Sequence, residues 1–221
     1  MRIALATTAS IVFAAALAAQ SPGLPPDINA ESLSRLPVVA RESLDADGKR
    51  VYDYIGGRGG TPPKTGPGGV SLHSPSTAEP IQMLNQALRR TVIGSKYFEV
   101  SALVAAREFD QQYEWSGHEP AALRAGVDQA VIDAIKFDRD VAGLGEKDEK
   151  SATIVLMGRQ LFRGNHQLSA ELWAKAVRLF NPQGALEISV VMGDYAMAAV
   201  MLNAVNQQLP AGRPALLPVR R

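Results

Sequence analysis

Residues 96–126 read KYFEVSALVAAREFDQQYEWSGHEPAALRAG, and the reading of this stretch decides the fold. Phe98, Ala102, Ala105, Phe109 and Tyr113 recur at helical spacing, so an apolar ridge runs along it that partner helices must cover. Four polar residues ride on the same segment: Glu99, Gln111, Glu114 and His118. At about 100° per residue, with Glu99 as origin, Gln111 falls at about 120°, Glu114 at about 60° and His118 at about 100°. They share one face of a helix, provided that the helix continues across Gly117. A ridge that must be buried beside two carboxylates and an imidazole marks a half-buried acid–base site.

Working outward, every other periodic segment is also helical. Asp45 or Asp47 caps a helix over about 43–55 with Leu44, Val51, Tyr52 and Ile55 on its apolar side. Ser74 before Pro75 reads as an N-cap with proline at the first helical position, opening a helix of about 76–93. After the central segment Pro120 restarts a short helix closed by Gly126, and Asp128 caps another over about 129–137. A helix begins within the polar residues 138–151 and runs to about Phe162. Ser169 caps the next to about Phe180, and Asn181-Pro182 opens a last one to about Gln207. Alternating apolar and polar runs rich in β-branched residues are missing, so the fold expected is all-α, with seven or eight helices.

Residues 56–69, GGRGGTPPKTGPGG, cannot be regular structure, and they read either as a surface loop or as a lid whose Arg58 or Lys64 meets an anionic substrate. Pro63 stands where a phosphate-binding loop needs glycine, and no strand precedes it, which removes a nucleotide site. Asp45-x-Asp47-Gly48 lacks the remaining ligands of a calcium loop and starts a helix instead.

Met1-Arg2 followed by IALATTASIVFAAALA, ending in Ala16-Leu17-Ala18, reads as a secretory signal peptide over residues 1–19. Its apolar core, about fifteen residues, falls short of the about 20 a bilayer crossing needs. Residues 20–40, rich in Pro and Ser, read as an extended lead-in, 41–208 as one helical domain, and 209–221 as an extended tail. A net charge of +1 with acids and bases interspersed gives no basic face for nucleic acid and no polybasic segment for a membrane. The expectation is therefore an exported protein, periplasmic or secreted, with a small-molecule substrate. With no cysteine in the chain, packing alone must stabilise it.

The string EVSALVAAREFDQQYEWSGHEPAALRAGV, residues 99–127, resembles the signature of the carboxymuconolactone decarboxylase family, in which a Glu opens a helix and Tyr-Glu-Trp and a His follow. Upstream, GPGGVSLHSPSTAEPI resembles the family's Gly-Pro and His-Ser-Pro approach to its first core helix. Downstream, GALEISVVMGDYAMAAVMLNAVN resembles its closing helix, with Glu187 and Tyr195 in the usual places. The likeness covers about residues 40–207. It implies a homo-oligomer, trimer or hexamer, and one fold that serves several chemistries. The redox branch, similar to alkyl hydroperoxidase D, places two cysteines where this chain has Gln111 and Glu114. A thiolate is required for that peroxidase cycle, so the chain is read as a cysteine-free, non-redox member.

The candidate catalytic residues are His118, Glu114 and Glu99. Glu114 lies at i, i+4 from His118 and is expected to bind and orient the imidazole, while His118 moves a proton to or from carbon and Glu99 holds a second proton or bridges to a cation such as Arg107. Gln111, Tyr113, Arg107 and His73 are the candidate substrate-binding residues, with an Arg meeting a carboxylate; His73 alternatively satisfies a backbone group. A di-iron pair uses Glu-x-x-His at i, i+3, which this chain lacks, so no metal and no cofactor is expected. Trp115 reads as a core aromatic. The expected activity is that of a cofactor-free lyase or isomerase acting on a small carboxylated lactone or related acid; the alternative is a non-catalytic binding or assembly protein on the same fold.

Overall fold

A computed structural model describes residues 23–145 and 147–220, without the side chain of Arg58. The signal-peptide segment lies outside the described residues. Among those described there are eight α-helices and no strand: α1 (Ala46–Gly56), α2 (Gly66–Ser71), α3 (Pro75–Leu88), α4 (Gly94–Glu108), α5 (Gln112–Arg124), α6 (Gln129–Lys136), α7 (Glu149–Phe162) and α8 (Ala170–Ala204). Local chemistry sets most helix starts. Asp45, Asp128, Asp148 and Ser169 each accept a backbone N–H of the first turn of the helix they cap.

α4 is the central helix. Its residues from Phe98 to Arg107 are buried without interruption, so it carries apolar contact all round rather than on one ridge. α5, α7 and α8 pack around it. Where α7 crosses it, Gly158 is required, because a Cβ there would overlap the Val104 side chain. α8 is long and apolar enough to cross a membrane by length and composition, but here Ile188, Val191, Met192 and Leu202 are buried within the fold. Asn181 interrupts α8 with φ 60°, and its side chain accepts the Gly184 amide, so a second helical run starts at the expected Asn-Pro.

Two expectations fail. The segment 96–126 is not one helix broken at Gly117 and restarted at Pro120. It breaks earlier, at Asp110, whose φ of 49° puts it in the left-handed region, while Gln111 N–H reaches back to the Ala106 carbonyl and closes α4. Asp is among the few side chains that tolerate that conformation. α5 then runs through both Gly117 and Pro120, held by its buried Trp115, Glu119 and Ala122. The second failure is the Gly/Pro stretch 56–69. It includes a 3₁₀ turn at Gly57–Gly59 and opens α2, with Pro67 in the first helical turn where its missing N–H costs nothing.

Both ends of the described chain lie on the domain. Leu33 carbonyl accepts the Gln208 amide, and Arg35 amide donates to Val205 carbonyl. Past Gln208 the tail crosses α5. Leu217 is buried in the core and exchanges two hydrogen bonds with the Gln112 side chain, each 2.8 Å.

Candidate functional site

A cavity of about 360 Å³ opens between α2, α3, α5, α8 and the tail. Ile55, Pro63, Pro67, Ala78, Ile81 and Met201 give it apolar walls, and the inner face of α5 supplies its polar floor. An apolar cleft with a few convergent polar groups is the usual form of a small-molecule site.

His118 stands at the centre of that floor. Its Nδ1 donates to Glu99 Oε2 at 2.7 Å, and its Nε2 is 3.5 Å from Glu114 Oε2. The imidazole edge meets the Tyr195 ring at 4.6 Å between centroids and 83° between planes, and Tyr195 packs in the same edge-on manner against Phe98. Burial pulls the imidazole towards its neutral form, but the carboxylates of Glu114 and Glu99 more than offset it and raise its pKa to about 9. His118 is thus an imidazolium at neutral pH. Glu114 Oε1 is buried and has no hydrogen-bond partner. By contrast Glu119, five residues on, is satisfied by Trp115 Nε1 at 2.5 Å and Lys136 Nζ at 2.8 Å. A buried carboxylate oxygen without a partner is an unmet hydrogen-bonding demand, here in a side chain that also lines the cavity.

Glu114 pairs with His118 as its spacing predicts, and the shorter contact to the ring comes from Glu99. Glu99 holds the Nδ1 end of the ring and Glu114 the Nε2 end, with Glu114 Oε1 buried and without a partner. Tyr113 lines the cavity as expected. Its hydroxyl is 2.9 Å from Thr65 Oγ1, and Gly66, with φ 76°, lies so close that a Cβ would come within 2.6 Å of the ring.

Three other expected site residues lie elsewhere. Gln111 is a buried N-cap: its side chain accepts the Tyr113 amide at 2.7 Å and donates to Asn203 Oδ1 at 2.7 Å, tying α5 to α8. Arg107 points away from the cavity and pairs with Asp110, donating also to the Lys136 and Pro218 carbonyls. A bridge to Glu99 is therefore absent. His73 is exposed, with Nε2 2.8 Å from the Pro37 carbonyl, the backbone role that was its alternative reading. Lys64, the loop cation expected over a ligand, pairs with Glu31 instead. Glu187 also stays outside, accepting the Val92 amide at 2.8 Å.

Four residues not singled out as binding or catalytic line the cavity: Arg89, Asp194, Tyr195 and Arg213. Asp194 is buried, and Asn85 Nδ2 donates to it at 3.0 Å. Burial raises its pKa, the Asn85 bond works against this, and Glu114 adds to the rise. Burial likewise raises the Tyr195 phenol. Arg89 donates to Asn85 Oδ1 and to the Tyr195 hydroxyl and lies over the Phe98 ring. A signal for Asp194 was present: an acid inside a long apolar helix needs a reason to be there. Arg213 carried none, being one basic residue in a Pro-rich tail.

Among the described residues no group of three His, Cys, Asp or Glu side chains is disposed to hold a metal ion. An imidazole lies between two carboxylates, and of the three residues His118 and Glu114 line the cavity, with Arg89 and Arg213 also on its wall. No protein-family model matches the chain, and no curated protein sequence matches it.

Proposed function

We propose that this chain is an exported, cofactor-free acid–base enzyme of carboxymuconolactone decarboxylase type, a lyase or isomerase acting on a small carboxylated lactone or related acid. The observation that carries the proposal is the Glu99–His118–Glu114 arrangement, whose His118 and Glu114 line the cavity, with one oxygen of Glu114 unpartnered. Support for an anionic substrate comes from Arg89 and Arg213 on the wall, neither within ion-pair distance of a carboxylate among the described residues.

In a lyase step the bond from carbon to a carboxylate group breaks and its electron pair moves into the conjugated carbonyl. The Nε2 proton of His118 then goes to the carbanion-like carbon as carbon dioxide leaves. In an isomerase step the Glu114 carboxylate takes the proton from the carbon beside the carbonyl, and His118 delivers one to the enolate. Glu99 keeps Nδ1 protonated in both, so the ring gives and regains its proton at Nε2 alone. One general acid–base group supplies about 10²- to 10⁴-fold in rate, which is the scale asked of His118.

A non-catalytic binding protein is the second reading, and the observation in its favour is that both imidazole nitrogens already face carboxylates. Turnover decides between them. The protein lacking residues 1–19 is screened against lactone carboxylates and unsaturated dicarboxylic acids, with a hydroperoxide as control. Turnover abolished in His118→Ala supports the enzyme; binding without turnover across the panel supports the alternative, and efficient peroxide turnover refutes proton chemistry as the function. N-terminal sequencing of the protein recovered from the periplasm or medium tests export, with the mature end expected at about residues 19–21; an intact Met1 in the cytoplasm refutes it.

A further inference from the structure

The cavity wall contributed by the C-terminal tail consists of a single charged side chain. Arg213 leaves a turn in which its amide donates to Pro210 carbonyl and Gly212 takes φ 80°. Its guanidinium lies over the Tyr113 ring at 4.4 Å from the centroid, and Nη2 donates to the Tyr113 carbonyl at 3.2 Å. α5 carries Gly117 at the crossing point, and a Cβ there would stand 2.5 Å from Arg213 Nη2. The helix thus leaves room for this guanidinium next to His118. On both sides the tail is pinned: Gln208 amide to Leu33 carbonyl before it, and Leu217 to Gln112 after it.

The two cavity arginines are not equivalent. Arg89 spends donors on Asn85 and Tyr195 and its face on Phe98. Arg213 has five N–H donors, and among the described residues its side chain makes one hydrogen bond, to the Tyr113 carbonyl, and no ion pair. A half-buried guanidinium that lines a cavity, stacked on an aromatic face with most of its donors free, is organised for a planar anion such as a carboxylate.

We propose that Arg213 is the residue that binds the ligand's anionic group, so that the C-terminal tail sets the site's selectivity for carboxylates over neutral molecules of the same shape. The proposal rests on the reading of the cavity as a site for small carboxylates. It gives residues 209–220 a binding role rather than that of a passive extension.

Glutarate and its neutral dimethyl ester serve as matched probes, with binding to the chain lacking residues 1–19 followed by calorimetry. Arg213→Gln should weaken glutarate at least tenfold and leave the ester unchanged; Arg213→Lys, which keeps the charge but loses the fork and the stacking, should fall between. Gly117→Ala alters no charge and displaces the guanidinium, and it should reproduce the loss. With a substrate in hand, Arg213→Gln should raise KM and leave kcat and its pH profile in place. Equal glutarate affinity in wild type and Arg213→Gln, equal losses for both probes, or no glutarate binding by the wild type would each overturn the proposal. The two readings fail separately. Selective glutarate loss in Arg213→Gln without any turnover leaves Arg213 in its role and removes the enzyme; turnover that depends on His118 but not on Arg213 does the reverse.

Discussion

His118 Nδ1 sits 2.7 Å from Glu99 Oε2, a bond between α5 and α4 across nineteen positions of sequence. Because Glu114 flanks the other nitrogen, the ring is a cation between two acids, and its protonation is coupled to the fold. The folded pKa of about 9 lies above the ordinary imidazole value of 6.5. The stability this contributes is therefore fully present below about pH 6.5 and is lost as pH rises through about 9, on the order of 3 kcal/mol at about 1.36 kcal/mol per tenfold change in proton affinity. Only three histidines occur, so the imidazole resonances are readily assigned. Nuclear magnetic resonance titration should place one of them near pH 9, and Glu99→Gln should move it down. A His118 titrating at 6.5 or below in the wild type would contradict the arrangement.

For whatever substrate is turned over, His118→Ala should lower kcat by about 10²- to 10⁴-fold. Where the reaction is an isomerisation, Glu114→Gln should cost a similar order, since it removes the proton acceptor, while Glu99→Gln, which keeps an acceptor for Nδ1, should cost less and shift the pH profile toward acid. Rates of the three variants against pH, with a hydroperoxide control, check this ordering. A Glu99→Gln loss larger than that of Glu114→Gln would contradict it.

Gln111→Ala should act on stability alone. It removes the cap on α5 and the tie to Asn203, which is exposed and rebinds water, so the loss is that of the cap, roughly 0.5–2 kcal/mol. Urea unfolding measures the loss and calorimetry the ligand affinity. Weaker ligand binding by a fully folded Gln111→Ala would put this side chain back in the site.

Leu186, Val190, Met197 and Val200 recur along one side of α8 and are exposed, with Val92 and Met83 also exposed elsewhere on the domain. An apolar stripe exposed on a helix suits contact with a second copy of the chain, and the expected outcome is a homo-oligomer, trimer or hexamer. Light scattering at micromolar concentration gives the mass. A monomer would refute it, and Leu186→Glu with Val200→Glu should shift an oligomer toward monomer without unfolding it.

Helix class and most helix starts were legible in the chain because they depend on neighbours: Asp45, Asp128 and Ser169 cap the turn directly after them, and Asn181-Pro182 restarts a helix by its own backbone preferences. The pairing of Glu114 with His118 was legible for the same reason, four residues on one helix, and the lack of any cysteine settled by composition that no thiol operates here. Helical spacing, however, specifies which face a residue occupies and not what that face meets. The turn at Asp110 carries a positive φ that no local pattern demanded, and it folds α5 back so that Glu99 reaches His118 from a second helix. Asp194 meets Asn85 across 109 positions and Arg213 meets Tyr113 across 100. Those contacts exist because burying α4 on every side draws α5 and α8 together, a gain of apolar packing that belongs to the whole chain and to no segment of it.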